Sequence, residues 1–296
     1  MRRLIAPLAA LLLLTAGCAP ARSGTLGPAP AAPTTRTGTT PGSPSPAPAP
    51  ATSRHTPPTF AAPSGPASPG PDGTITVQLW FTRGGQLVPT RRTLPATLAT
   101  SRLALAELAA GPSLAETAAG MTSLVPPDVQ VTRIAGQVAT LVPPAGFDSG
   151  GAATVRLRRA QVVWTLTQFP TVRRVAFTST DTAPTGRDEY ADLLPPIVVT
   201  APATGDRVTS PVTVTGTADV FEATVSVRVL DAAGREIGTA FTLATCGSGC
   251  RGDYRASVRY RRATTGPGTV EVYEVSARDG SRINVVAVPV ILATSG

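Results

Sequence analysis

The stretch Thr74–Thr82 reads TITVQLWFT, with apolar side chains at alternate positions. Ile75, Val77, Leu79 and Phe81 share one side, while Thr76, Gln78 and Trp80 take the other. That is the period of a strand with one buried face. Arg83-Gly84-Gly85-Gln86 supplies a turn, and Gln86 to Arg92 returns as a second strand. The period then changes. Thr97 to Ala110 puts Leu98, Leu105, Leu108 and Ala109 on one helical face, and Gly111-Pro112 stops the helix. Val129 to Val142 reads as a hairpin around Ala135-Gly136. Thr154 to Gln168 reads as a second helix, with Val155, Val162, Leu166 and Phe169 in one stripe widened by Leu157, Ala160 and Trp164. Pro170 ends it, and Val172 to Thr178 gives a last strand. Residues 73–192 therefore form a mixed α/β domain.

Pro195-Pro196 marks a boundary, and the pattern beyond it is all strand. The runs are Ile197–Thr200, Val208–Thr217, Thr224–Leu230, Glu236–Leu243, Tyr254–Arg261, Thr269–Ala277 and Ile283–Leu292. Turn signals separate most of them: DAAG at Asp231 to Gly234, TGPG at Thr265 to Gly268, RDGS at Arg278 to Ser281. Val225, Val227 and Val229 point inward by the period of two. Seven short strands in residues 193–296 predict an immunoglobulin-like β-sandwich, so the chain as a whole is α+β.

Upstream, the composition forbids a core. Residues 18–72 form a Pro/Ala/Thr-rich tether; Ala19 to Asp72 holds 15 of the 31 prolines. Proline fixes φ and removes a donor, so such a chain samples extended polyproline II, reaching on the order of 150 Å when stretched. Before it stand Met1-Arg2-Arg3, the apolar run Leu4 to Leu14, and Leu14-Thr15-Ala16-Gly17-Cys18. A positive start, a short apolar segment and small residues before a cysteine make residues 1–17 a secretory signal, too short to span a bilayer stably. The end of this signal resembles a bacterial lipobox, with Thr15 where leucine is usual. That resemblance implies diacylglycerol on Cys18, cleavage before it, and a cell-membrane protein anchored on the extracytoplasmic face. The alternative is a plain secretory signal with an incidental cysteine.

Composition excludes several chemistries. All 26 basic residues are arginine, which removes lysine nucleophiles and Schiff bases. The one histidine, His55, lies in the tether, where it cannot be held in a triad or metal shell. No cofactor and no metal are expected. The 224 residues after Asp72 carry 21 arginines against 17 acids. This mild excess suits a solvated surface, or contact with envelope polyanions or anionic headgroups. No basic stripe with interleaved aromatics appears, so nucleic acid is not an expected partner.

Four segments in the first domain carry a family resemblance: VQLWFTRGGQLVPTRRTL (77–94), ALAELAAGP (104–112), TSLVPPDVQV (122–131) and AQVVWTLTQFPTVRRVAF (160–177). In this order they resemble the GerMN domain, a sporulation and germination module also found in envelope lipoproteins. The resemblance implies an α/β fold related to the ring-building motifs of envelope complexes, and no enzymatic activity. Gly111, Pro112, Thr165, Gln168 and Pro170 match the pattern and read as helix stops and a polar helix edge. In the second domain, residues 202–231 and 270–290 resemble the Gmad-type immunoglobulin-like domain that commonly follows GerMN modules.

Cys246 and Cys250, in CGSGC, are expected to form a small-loop disulfide outside the cytoplasm. Arg156, Arg158 and Arg159 sit at the start of the second helix, where its dipole disfavours cations. They make a candidate surface for an acidic partner, against the plainer reading of a solvated helix face. Three functions follow. The leading one is a lipid-anchored, non-catalytic binding or assembly module whose partners are the membrane, envelope proteins or wall polymers, or copies of itself. The second is a carbohydrate- or wall-polymer-binding sandwich, with Tyr254, Tyr260 and Tyr273 as aromatic candidates. The third is a wall-polymer hydrolase using Asp188, Glu189 and Asp192, whose plainer reading is a solvated acidic linker.

Overall fold

The computed structural model describes residues 73–178 and 183–295. The signal, Cys18 and the tether lie outside the described residues. Both domains fall in one compact unit.

The first domain opens with the antiparallel hairpin β1 (Thr74–Arg83) and β2 (Gln86–Pro95). Gly84 and Gly85 both have positive φ, 58° and 80°, as a two-residue turn matched to strand twist requires. Helix α1 (Thr100–Ala110) begins three residues later than its periodicity predicts. Leu98 therefore lies outside the helix and is fully exposed, whereas Leu105 and Leu108 are buried. A short helix α2 (Leu114–Ala118) follows, closed by a capping box between Ser113 and Glu116. Strands β3 (Gln130–Ala135) and β4 (Val138–Val142) form the expected hairpin, and β5 (Arg174–Phe177) pairs parallel to β4.

Helix α3 (Ala152–Leu166) is the centre of this domain. Every residue from Ala160 to Leu166 is buried, the polar Gln161 and Thr165 included. Those two and Gln168 serve the free edge of β1. The Gln161 Nε2 donates to the Trp80 carbonyl at 3.0 Å, and the Trp80 N–H donates to Thr165 Oγ1 at 3.1 Å. Gln168 accepts from the Gln78 N–H at 2.8 Å and donates to the Gln78 carbonyl at 2.7 Å. Thr82 completes the row by exchanging backbone bonds with Thr122 at 2.9 Å. Side chains spaced i, i+4, i+7 thus occupy one helix face and replace a missing third strand.

The acids read as a linker are ordered. Asp188–Leu193 is a 3₁₀ turn whose Tyr190 enters the first core. Asp188, Glu189 and Asp192 themselves are exposed, as the solvated reading expects, although the segment that carries them is a 3₁₀ turn.

The second domain packs two sheets. One, in the order β11-β8-β6, holds β6 (Ile197–Ala201), β8 (Val212–Ala218) and β11 (Gly252–Val258). The other, in the order β10-β9-β12-β13-β7, holds β7 (Arg207–Val208), β9 (Thr224–Asp231), β10 (Glu236–Leu243), β12 (Gly266–Val275) and β13 (Arg282–Leu292). All seven expected strands are present. The extra one, β7, is two residues pairing parallel to β13, too short to leave a periodic signal. Val225, Val227 and Val229 are fully buried between the sheets.

Strand β6 serves both cores. Ile197 and Val199 pack into the sandwich, while Val198 between them packs into the core of the first domain. Arg251 locks this junction from the sandwich side: its guanidinium donates to the Pro195 carbonyl at 2.7 Å and the Pro196 carbonyl at 3.3 Å.

Candidate functional site

The concave surface built by both domains is a cleft of about 300 Å³ beside β6. One wall is β2 from Gln86 to Pro89, with Arg83 and Met121; the other is β13 from Asn284 to Val288. Strand alternation fixes what these walls present. Gln78, Trp80 and Thr82 turn their backbone groups away from β2, so their partners Arg91 and Leu87 turn N–H and C=O outward on the opposite edge, and Pro89, which has no N–H, turns its C=O. On β13, the Pro289 carbonyl accepts from the Gly205 N–H and the Ile291 N–H donates to the Asp206 carbonyl, both at 2.8 Å. Ala287 shares their parity, so its N–H and C=O lie on the same free edge. The cleft therefore runs between two open strand edges.

Polar side chains complete it. The Arg83 guanidinium has no internal partner among the described residues. Asn284 sits at positive φ, 52°, where β13 bulges against β12. Its Nδ2 donates to Glu274 Oε2 at 2.7 Å, and the buried Glu274 also accepts from the Phe221 N–H at 3.0 Å. Open backbone donors and acceptors flanked by apolar side chains are what an extended polypeptide needs for strand addition. Sequence reasoning assigned no role to Leu87, Asn284 or Ala287. The available signal was Pro89, since a proline inside a strand pattern marks a sheet edge.

The arginines of α3 are engaged within their own domain. Arg156 makes a bidentate pair with Asp192, at 2.8 and 2.6 Å, and lies over Tyr190. Arg158 donates to the carbonyls of Leu124, Phe147 and Ser149. Arg159 pairs with Asp148 at 2.6 Å and lies over the Phe177 ring. These contacts explain why cations tolerate the helix start: carboxylates and carbonyls surround each one. The Arg156 guanidinium, by donating hydrogen bonds to the ionised carboxylate, holds Asp192 below its ordinary range. Glu189 accepts from the Gly186 N–H at 2.9 Å. Asp192 thus staples the 3₁₀ turn to α3, while Glu189 caps the start of that turn.

Of the tyrosines considered as sugar platforms, Tyr254 and Tyr260 are buried in the sandwich. Burial raises the Tyr254 phenol above its ordinary range, and its hydroxyl donates to the Val198 carbonyl at 3.2 Å. Tyr273 is half-buried with Arg228 and Arg282 over its ring. Cys246 and Cys250 form a disulfide in the loop between β10 and β11. Among the described residues, no group of three or more His, Cys, Asp or Glu side chains is placed to hold a metal, and no helix is long and apolar enough to cross a membrane.

Residues 72–182 match the family described as sporulation and spore germination, and residues 196–281 match the immunoglobulin-like domain of bacterial spore germination. The chain thus pairs one domain that matches each of these two families. This pair is similar to the first GerMN domain of the sporulation protein GerM from Bacillus subtilis, at 25% identity over 35% of this chain and 81% of that one, with a TM-score of 0.31. The tandem GerMN domains of the same protein align over 63% of this chain and 61% of theirs, at 14% identity and a TM-score of 0.34. CopC from Methylosinus trichosporium OB3b aligns over 34% of this chain and 96% of its own, at 14% identity and a TM-score of 0.22. No curated protein matches the pair. Its two families are sporulation, germination and immunoglobulin-like domains, not known enzymes.

Proposed function

We propose that this chain is a lipid-anchored protein of the cell envelope whose paired domains act as a non-catalytic binding and assembly module in a sporulation- or germination-related system. The observation that carries the reading is the shared strand β6. With Ile197 and Val199 in one core and Val198 in the other, the domains form one body, and the cleft beside β6 is a composite of both. Its two strand edges suit an extended segment of a protein partner, bound through backbone hydrogen bonds with pockets for alternate side chains. The lipobox around Cys18 and the proline-rich tether support the address: an acylated terminus on the membrane and a spacer that carries the pair outward.

The test compares two variants in a deletion strain of the source bacterium. Cys18→Ser is expected to release the chain into the medium. Ala287→Pro removes one edge N–H at an exposed position that tolerates proline, so the chain should stay folded and anchored but fail to restore the deletion phenotype. Retention of Cys18→Ser in the membrane fraction, or full complementation by Ala287→Pro, overturns the reading.

A further inference from the structure

Most arginines of the two domains are consumed by internal contacts. Arg92 pairs with Glu116, Arg156 with Asp192, Arg159 with Asp148, Arg228 with Glu271 and Arg235 with Asp231, while Arg251 and Arg262 donate to backbone carbonyls. Three on β11 and the segment that follows it are different. Arg255, Arg259 and Arg261 are exposed and have no internal partner among the described residues. They project from the same side of β11 and its extension, because burial alternates strictly: Tyr254, Ala256, Val258 and Tyr260 are buried, and Asp253, Arg255, Ser257, Arg259 and Arg261 are exposed. At the rise of an extended chain, Arg259 stands about 13 Å beyond Arg255 and Arg261 about 7 Å further.

The neighbouring strand adds hydroxyls. Arg255 lies opposite Thr215, Ser257 opposite Thr213, and Asp253 opposite Thr217. Asp253 is the one acid of the row, so the strip keeps a net positive charge. We propose that this outer face of β11 binds a linear phosphodiester polyanion of the cell envelope. Guanidinium forks match phosphate oxygens, and serine and threonine hydroxyls beside them donate to the same groups. A bilayer is the poorer fit because the flanking row on β8 is threonine, with no apolar side chain to insert. Nucleic acid is the poorer fit because the tyrosines of this strand point inward, leaving no aromatic for a base to stack on. The proposal depends on the envelope reading only for where the polymer is met, not for the binding itself.

The experiment uses the full chain carrying Cys18→Ser, so that no acyl group reports falsely on vesicles, with soluble poly(glycerol phosphate) as the probe. Binding is expected at low salt. The triple variant Arg255→Gln, Arg259→Gln, Arg261→Gln should weaken it by at least about tenfold and flatten the dependence of log K on log salt by about two charges, at unchanged melting temperature. Replacing the three by lysine should restore part of the affinity, whereas Arg133→Gln, an unpaired arginine of the first domain, should leave it unchanged. Equal binding by wild type and triple variant overturns the proposal, as does tighter binding to phosphatidylglycerol vesicles or to a DNA oligonucleotide than to the polymer. No polymer binding by the chain with its three arginines intact would sink this proposal alone; release of the wild-type chain into the medium would sink only the anchored address.

Discussion

Gln168 completes the backbone of Gln78 as a neighbouring strand would, with one bond at 2.8 Å into its carboxamide oxygen and one at 2.7 Å out of its nitrogen. Gln168 also donates to the Thr165 carbonyl at 2.6 Å, which holds the amide in this orientation. Gln168→Ala leaves both Gln78 groups without partners at a partly buried edge, which should cost about 1–3 kcal/mol. Gln168→Met keeps the volume and should cost nearly as much, since the loss is hydrogen bonding and not packing. Urea unfolding checks the energy, and faster hydrogen exchange at the Gln78 amide checks the cause. Unchanged exchange there would show that the helix edge is not what protects β1.

Glu116 ties β2 to α2. Its buried carboxylate accepts from Arg92 at 2.9 and 2.8 Å, from the Thr90 hydroxyl at 2.5 Å and from the Ser113 N–H at 2.7 Å. Burial alone would raise this carboxyl, but the donors outweigh it and hold it down at about 2. A group depressed in the folded state contributes stability above its unfolded value, near 4.5, and loses it as pH falls toward 2. Wild type should therefore lose on the order of 3 kcal/mol across that interval from this group. Glu116→Gln should be less stable at neutral pH by about 3 kcal/mol, because Arg92 is left facing a neutral amide, and its acid loss should be correspondingly smaller. Unfolding curves at neutral and acid pH measure both.

The strands and the two long helices were legible because burial imposes a period on the residues that face a core: Val225, Val227 and Val229 in the sandwich, Leu105 and Leu108 on α1. Periodicity says which side is buried, not against what. Val198 shows the limit, since its neighbours' parity puts it outside the sandwich and only the structure reveals the first domain covering it. Leu98 failed for a related reason: a hydrophobic residue in phase with a helix was assumed to lie within it, yet the helix starts at Thr100. Helix α2 carried a readable signal, Ser113 three residues before Glu116, but it spans too few residues for periodicity to register. The cleft was the least legible element, because its walls are backbone edges and leave no side-chain signature beyond Pro89.

Gly216 is a packing glycine. A Cβ there would meet the Val198 carbonyl inside van der Waals contact and the Tyr254 hydroxyl oxygen at 2.7 Å. Its φ is not the constraint; the neighbouring strand and ring occupy the space. Gly216→Ala should push β6 away from β8 and cost about 2–3 kcal/mol. Because β6 serves both cores, the variant should also loosen the first domain, seen as added protease cleavage near Pro195-Pro196. The double variant Gly216→Ala, Tyr254→Phe removes the hydroxyl but leaves the Val198 carbonyl and the ring carbon Cε1 at 2.9 Å, so it should recover only part of the loss.

The Cys246–Cys250 bridge closes a loop already docked by other bonds. Ser248 N–H donates to the Val220 carbonyl at 3.0 Å, Gly249 N–H to Asp219 at 2.8 Å, and Glu222 N–H to the Ser248 hydroxyl at 3.1 Å. A cross-link over so few residues restricts the unfolded chain modestly, by about 2 kcal/mol on the chain-entropy scale. The paired variant Cys246→Ser, Cys250→Ser should therefore remain folded, with the sandwich less stable by about that amount and β11 intact. Asp219→Ala in that background should release the loop, because the remaining anchors are single hydrogen bonds at an exposed site. Thermal unfolding with and without reductant checks the first effect, and proteolysis within residues 246–250 checks the second. A wild-type chain whose melting temperature ignores reductant, under conditions where the thiols are shown to be free, would mean that the hydrogen bonds alone hold the loop.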